Sequence, residues 1–217
     1  MSDSLTTLIG KVQNLLGDAS GTYFTTAIVT AATRQALSEF NTRVPQAAAI
    51  TITGVNSQYE YELTDQDANS CEIIDVLLRG TDTAQDINTS LTFDQYIEDE
   101  RVFFRLRLPV TTADTLIVRY TINHTINGLD SQIESTIRAE HDQIIVNGAA
   151  AWAIWTRGVA RVETINLSQD QSDNYREMAT RLYEAFEKGM DSAARRHSPV
   201  SEPDARAWND QYHYWDQ

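Results

Sequence analysis

Apolar positions along this chain recur first with a helical period, then with a period of two, then with a helical period again. Leu5, Leu8, Ile9, Val12, Leu15 and Leu16 form a helical stripe over residues 4–16, with Ser4 as N-cap and Gly17 as the C-terminal stop. The stretch "GDASGTYF" reads as a turn. A second helix is expected over 26–43, with Ile28, Val29, Ala32, Ala36, Leu37 and Phe40 inward, ending before Val44-Pro45. Strand patterning follows in "AITITGVNSQYEYEL", read as two strands around a turn at 54–57. It continues in "CEIIDVLL", "LTFDQYI", "RVFFRLRL" and "TLIVRYTI", where Leu116, Val118, Tyr120 and Ile122 share a face. "CEIIDVLL" reads as a strand buried on both faces, and "GTDTAQDINTS" as the longest loop. About six short strands with short connections point to an antiparallel sandwich or barrel.

After "NGLD" the helical period returns. Ser131 and Glu134 match an S-x-x-E capping box, which predicts a long helix from there to about residue 162. Ile133, Ile137, His141, Ile144, Gly148, Trp152 and Trp155 would face inward. Its middle, Gly148, Ala149, Ala150 and Ala151, is all small. A glycine costs about 1 kcal/mol in a helix interior, so its presence indicates close helix packing. Ser168 is expected to cap a fourth helix to about 196, with Tyr175, Met178, Ala179, Leu182, Tyr183, Phe186 and Met190 on one face. Beyond it, Pro199 and Pro203 and an aperiodic composition end regular structure. The expected fold is therefore α+β: a four-helix core of two N-terminal (1–46) and two C-terminal (127–197) helices, an inserted antiparallel β sandwich or barrel-like domain (47–126), and an extended C-terminal tail (198–217). No repeat at solenoid spacing occurs.

Composition narrows the partners. The 217 residues carry a formal net charge of −14, 41% hydrophobic and 22% charged residues, as a folded globular chain does. That acidity argues against binding free DNA or anionic lipid. Cys71 is the only cysteine, so no internal disulfide forms. Residues 1–18 lack a basic region followed by an apolar run, so no secretion signal is expected. Asn-x-Ser/Thr matches at Asn88, Asn123 and Asn166 are read as chance, and no run is long enough to span a membrane. Lys11 and Lys188 are the only lysines among 17 basic residues. The arginines that make up the rest suit partly buried or bidentate ion pairs.

Motifs for chemistry are absent: no G-x-S-x-G, no S-x-x-K, no dinucleotide or phosphate glycine loop, no H-E-x-x-H. His124, His141, His197 and His213 are scattered. No cofactor and no metal is expected. His141-Asp142 is the best catalytic pair, weighed against a packed helical histidine. Cys71 is weighed as a reactive thiol against a core thiol, and Glu98, Asp99 and Glu100 as a cation site against a solvated turn. In each case the packing or solvation reading is preferred, so no enzyme is expected. Two binding features remain. Arg101, Arg105 and Arg107 share one face of "RVFFRLRL" with Phe103, opposite Val102, Phe104, Leu106 and Leu108: a cationic stripe that is intersubunit or DNA-facing, or else guards an exposed strand against edge pairing or pairs across to Glu98, Asp99 and Glu100. The tail "WNDQYHYWDQ" carries Trp208, Tyr212, Tyr214 and Trp215, ring types enriched at interface hot spots, unless it packs back on its own helices.

The paired helices in "LIGKVQNLLGDASGTYFTTAIVTAATRQALSEFNTRVP" and the small-residue centre of "AEHDQIIVNGAAAWAIWTR" resemble those of head–tail connector (adaptor, or head-completion) proteins of tailed bacteriophages. A further helix and an extended tail complete the likeness; the β insertion departs from all-helical members. The resemblance implies a virion protein of the neck, assembled in the host cytoplasm, that forms a homo-oligomeric ring, commonly of twelve copies. Such a ring binds the portal protein on one side and a tail-side connector or tail protein on the other. DNA only passes through its lumen, and no membrane is involved. It also implies that the tail's aromatic residues anchor on the portal. About 20 residues after His197 could span on the order of 65 Å when extended. A stand-alone β-sandwich recognition module for glycan or protein, carried on helices, is the alternative.

Overall fold

The computed structural model describes residues 3–64, 71–79, 88–112, 114–162 and 169–197. It contains four helices and two antiparallel sheets, an α+β fold. The chain divides into two compact units: Pro45–His124 is one, and Met1–Val44 with Thr125–Gln217 is the other.

In the helical unit, α1 (Leu5–Leu15) starts where the Ser4 hydroxyl accepts from the Thr7 N–H, and buries Leu8, Ile9 and Val12. Gly17 follows in the left-handed region at φ 70°, a conformation glycine adopts without strain. Asp18 then organises the turn: its carboxylate accepts from the backbone N–H groups of Thr22 (3.1 Å), Tyr23 (2.7 Å) and Phe24 (2.6 Å). Gln13 Nε2 donates to Phe24 O across the same turn. The chain is thereby aimed into α2 (Thr26–Arg43), which buries Val29, Ala32, Thr33, Ala36, Leu37 and Phe40.

The capping-box expectation fails. Residues 125–138 form a closed irregular loop, fastened at its base by Thr136 N–H to Thr125 O and by Thr125 N–H to Thr136 Oγ1. Ser131 sits at φ 65° and Asp130 at φ 49°, whereas an N-cap needs an extended backbone. Arg34 clasps Asp130 through Nε and Nη2. Ile133, expected inward, is 83% exposed. A 3-10 turn (Ala139–His141) then leads into α3 (Asp142–Val162). The local S-x-x-E pattern lost to the Gly128 and Asp130 turn, whose backbone cannot continue as helix.

Helix α3 packs against α1, α2 and α4 (Gln169–His197). The α4 face is apolar at Ala179, Phe186, Met190 and Ala193, while Tyr175, expected inward, is 41% exposed. One apolar core runs through all four helices.

In the β unit, β1 (Gln46–Thr53), β7 (Thr115–Ile122), β3 (Glu72–Arg79) and β4 (Asn88–Leu91) form one sheet in that order. The second sheet has the order β2 (Glu60–Leu63), β6 (Arg101–Leu106), β5 (Phe93–Glu98). Tyr61, Leu63, Val102, Phe104 and Leu106 of one sheet share a core with Ile73, Val76, Leu116, Val118 and Tyr120 of the other, which makes a sandwich. Among the described residues seven strands replace the expected six, because "LTFDQYI" is split. Its Leu91 ends β4, and the chain passes through Thr92 into β5 of the opposite sheet. Alternation continues across the break, since Leu91 and Phe93 both pack against the same core. Likewise β1 and β2 belong to different sheets. At Gly54 between them, a Cβ would lie 2.3 Å from Thr111 O. Strand β3 is an inner strand, yet Ile74 is exposed, so only one of its faces is fully buried.

Candidate functional site

The arginine stripe is set by the β5–β6 hairpin. Glu98 pairs with Arg101 across a two-residue turn, and both turn residues, Asp99 (φ 50°) and Glu100 (φ 63°), are left-handed, as a type I′ connection demands. That register fixes the neighbours of β6 on both sides. Arg105 lies between Glu60 of β2 and Asp94 of β5, and Phe103 lies between Glu62 and Tyr96. The Phe103 and Tyr96 rings stack with centroids 5.4 Å apart and planes 12° from parallel.

Each arginine has an acidic partner. Arg101 Nη1 is 3.4 Å from Glu62 Oε1, Arg105 Nε is 3.8 Å from Glu60 Oε1, and Arg107 Nη2 is 3.6 Å from Asp94 Oδ1. The arginines are solvent-exposed and Glu62 is half-buried, and such surface pairs contribute about 0–1 kcal/mol each. Together, Glu60, Glu62, Asp94 and Glu98 match or exceed the three cations on this face. The stripe seen in one strand is therefore neutralised by carboxylates of β2, an earlier strand of the same sheet, and by Asp94 across the β5–β6 hairpin. Behind it, Val102, Phe104 and Leu106 are buried, but Leu108, expected to join them, lies past the strand end and is 69% exposed.

The small-residue run lies where three helices converge. A Cβ on Gly148 would come within 2.9 Å of the Phe186 ring of α4 and 3.0 Å of the Ala36 Cβ of α2. Ala149, Ala150 and Ala151 are fully buried. This close packing is within one copy of the chain. Trp152 and Trp155 of α3 meet Tyr183 of α4 in edge and tilted ring contacts, and the Tyr183 hydroxyl donates to Glu39 Oε2 at 3.2 Å. Sequence periodicity placed these rings inward without showing that they meet.

The structure places the weighed chemical residues as follows. His141 is buried in the 3-10 turn with its ring 5.5 Å from that of Phe40. Asp142 accepts from the Asp3 backbone N–H, and burial raises its pKa above the ordinary carboxylate value. Cys71 is buried, and desolvation pushes its thiol up to about 11, far from a thiolate at neutral pH. Glu98 ends β5, and Asp99 and Glu100 form the hairpin turn, so the three lie at the β5–β6 hairpin. Among the described residues, no group of three His, Cys, Asp or Glu side chains is placed to hold a metal, and no helix is long and apolar enough to cross a membrane. Trp208, Tyr212, Tyr214 and Trp215 lie outside the described residues.

The signal that sequence reading missed is Asp18. A D-x-S-x-T pattern after a helix-ending glycine could have marked it: the carboxylate accepts from Thr22, Tyr23 and Phe24 N–H groups as well as the Ser20 hydroxyl. The Phe24 N–H above all holds its pKa below the ordinary value. No model of a known protein family matches the chain, and no curated protein matches it either.

Proposed function

We propose that this chain is a structural subunit of a tailed-bacteriophage head–tail connector: a ring that joins the portal vertex to the tail and lets DNA through its lumen. The observation that carries this reading is the helical unit, in which the N-terminal pair α1–α2 and the long C-terminal pair α3–α4 close on one core around a β insertion. The two helix pairs are the layout the connector resemblance implies, while the β insertion departs from its all-helical members. The chain's acidity fits a conduit, because a negative lumen repels phosphate and lets DNA slide without sticking. Neutralisation of the stripe at Arg101, Arg105 and Arg107 favours protein contact over DNA contact for that face. In this reading Trp208, Tyr212, Tyr214 and Trp215 anchor on the portal, no catalysis is involved, and the small residues 148–151 serve the subunit's own core.

The test is mass measurement of the chain alone and after mixing with a candidate portal, with full-length protein beside a version lacking residues 198–217. A ring or portal complex from the full chain, lost on truncation with unchanged thermal stability, supports the reading. A chain that stays monomeric under all these conditions overturns it.

A second reading, a β-sandwich recognition module, draws on the Tyr96–Phe103 stack, a platform of the kind on which sugar rings pack. It expects a monomer whose glycan or peptide binding disappears in Tyr96→Ala.

A further inference from the structure

Sheet edges invite pairing with other strands, and proteins blunt them with charge, brevity or bulges. The two sheets of the β unit treat their edges differently. Both end strands of the three-stranded sheet carry carboxylates: Glu60 and Glu62 on β2, Asp94 and Glu98 on β5. Both end strands of the four-stranded sheet carry no charge at all: Gln46–Thr53 reads QAAAITIT and Asn88–Leu91 reads NTSL. Strand β1 is also long, eight residues, and its register with β7 is unbroken.

The outward groups of β1 can be named. Gly54 N–H donates to Asp114 O, its cross-strand partner in the extended register, so Gly54 faces the β7 side. Backbone direction alternates along a strand. Ile52, Ile50 and Ala48 therefore also bond toward β7, while Ala47, Ala49, Thr51 and Thr53 point N–H and C=O away from the sheet. Strand β1 is the end strand of its sheet, so these four groups face no other strand of it. Their side chains are small and exposed, which leaves room for a neighbouring backbone.

We propose that β1 of one copy pairs with β4 of the next copy, so that the four-stranded sheets continue from subunit to subunit. This rests on the ring reading and specifies its contact. All three pairings in this sheet are antiparallel, so its first and last strands run in opposite senses. Copies related by rotation about an axis along the strands thus bring β4 beside the next β1 antiparallel, the better-bonded arrangement. Such a contact is head-to-tail, and it closes into a ring when the rotation permits. Uncharged edges matter in a chain of net charge −14, because like charges at the seam would repel. The carboxylate-bearing edges of the other sheet keep it from the same pairing.

The test uses the full chain with Thr51→Cys and Ser90→Cys together, which the register places on the same outer face of the sheet, treated with a flexible bis-maleimide. Both positions are exposed, and the buried Cys71 thiol is a silent background. The expected product is a ladder of covalent dimers, trimers and larger species up to the closed ring, while Thr51→Cys alone stays monomeric on a denaturing gel. In parallel, Ala49→Pro removes an outward donor that an edge strand can spare. It should retain the far-UV circular dichroism of the parent and lose assembly by at least tenfold in concentration. If Ala49→Pro disturbs the fold, Ala49→Lys with Thr51→Lys decides instead. A ring that forms without any ladder, or that tolerates both edge variants, overturns the β1–β4 contact and leaves the connector reading standing. Dimers from Thr51→Cys alone overturn it in favour of β1 pairing with β1. An intact ring that loses only portal binding reassigns the edge to the portal. A parent chain that never assembles removes both readings.

Discussion

The helical unit and the β unit solve the same packing problem from opposite ends. In the helical unit the tight place is a glycine: three helices approach until Phe186 and Ala36 fill the space a Cβ would need at Gly148. In the β unit the tight place is full of large side chains, with Phe104, Leu63, Leu106 and Leu116 buried between the sheets. Helix axes can approach closely where side chains are small, whereas facing sheets stay about 10 Å apart and the gap must be filled. The helical unit should therefore be most sensitive to added volume, and the β unit to removed volume.

The largest effect expected is Phe104→Ala, a truncation at the centre of the sandwich. It should lose about 3–5 kcal/mol in chemical denaturation. Gly148→Val should follow, at about 1–3 kcal/mol or somewhat more, because overpacking against Phe186 outweighs the roughly 1 kcal/mol a helix gains on losing glycine. Pairing Gly148→Ala with Phe186→Leu should recover part of the loss of the single Gly148→Ala change. Additive losses in that double-mutant cycle would break the contrast between the two units.

Two acidic residues of the helical unit sharpen it through pH, with opposite signs. Asp18 has a lowered folded pKa, so its stabilisation is present above the unfolded value near 4 and is lost as pH falls through the folded value. Asp18→Asn should be less stable at pH 7 and equal the parent in acid. Asp142 has a raised folded pKa, so its favourable contribution is present below the unfolded value and is lost as pH rises through the folded one. Asp142→Asn, which keeps an acceptor for the Asp3 N–H, should match the parent in acid and be the more stable of the two at pH 7. Thermal melts across pH 3–7 read both. The smallest effect is Arg105→Glu on the exposed face of β6, expected within about 0.5 kcal/mol. A larger loss would mean that the network with Glu60 and Asp94 holds the sheet.

Where local pattern and packing agreed, the fold was legible from sequence. Leu8, Ile9 and Val12 of α1 and Val29, Ala32, Ala36, Leu37 and Phe40 of α2 are buried as their stripes predict, though Leu15 is exposed and Thr33 is buried with them, and Gly17 stops the first helix. Legibility ended where a distant partner decides. Ser131 and Glu134 look like a cap, yet the backbone at Asp130 and Ser131 is held left-handed in a loop clasped by Arg34, almost a hundred residues earlier. Arg101 and Arg105 share one face of β6 as expected, Arg107 lies just past the strand end, and the charge balance depends on β2 and β5 in register beside it. Edge status, which singles out Ala47, Ala49, Thr51 and Thr53, is a property of strand order and has no signature in any one segment.

The assembly of the helical unit from two distant stretches also has a consequence in time. At about 5–20 residues per second, α1 and α2 leave the ribosome on the order of 5–20 s before α3 is made. The β unit is contiguous from Pro45 to His124 and can fold in that interval. Until α3 arrives, α2 has only α1 beside it, and the side that α3 covers, with Ala36 against Gly148, stays open. This waiting surface is where a chaperone would hold the newborn protein.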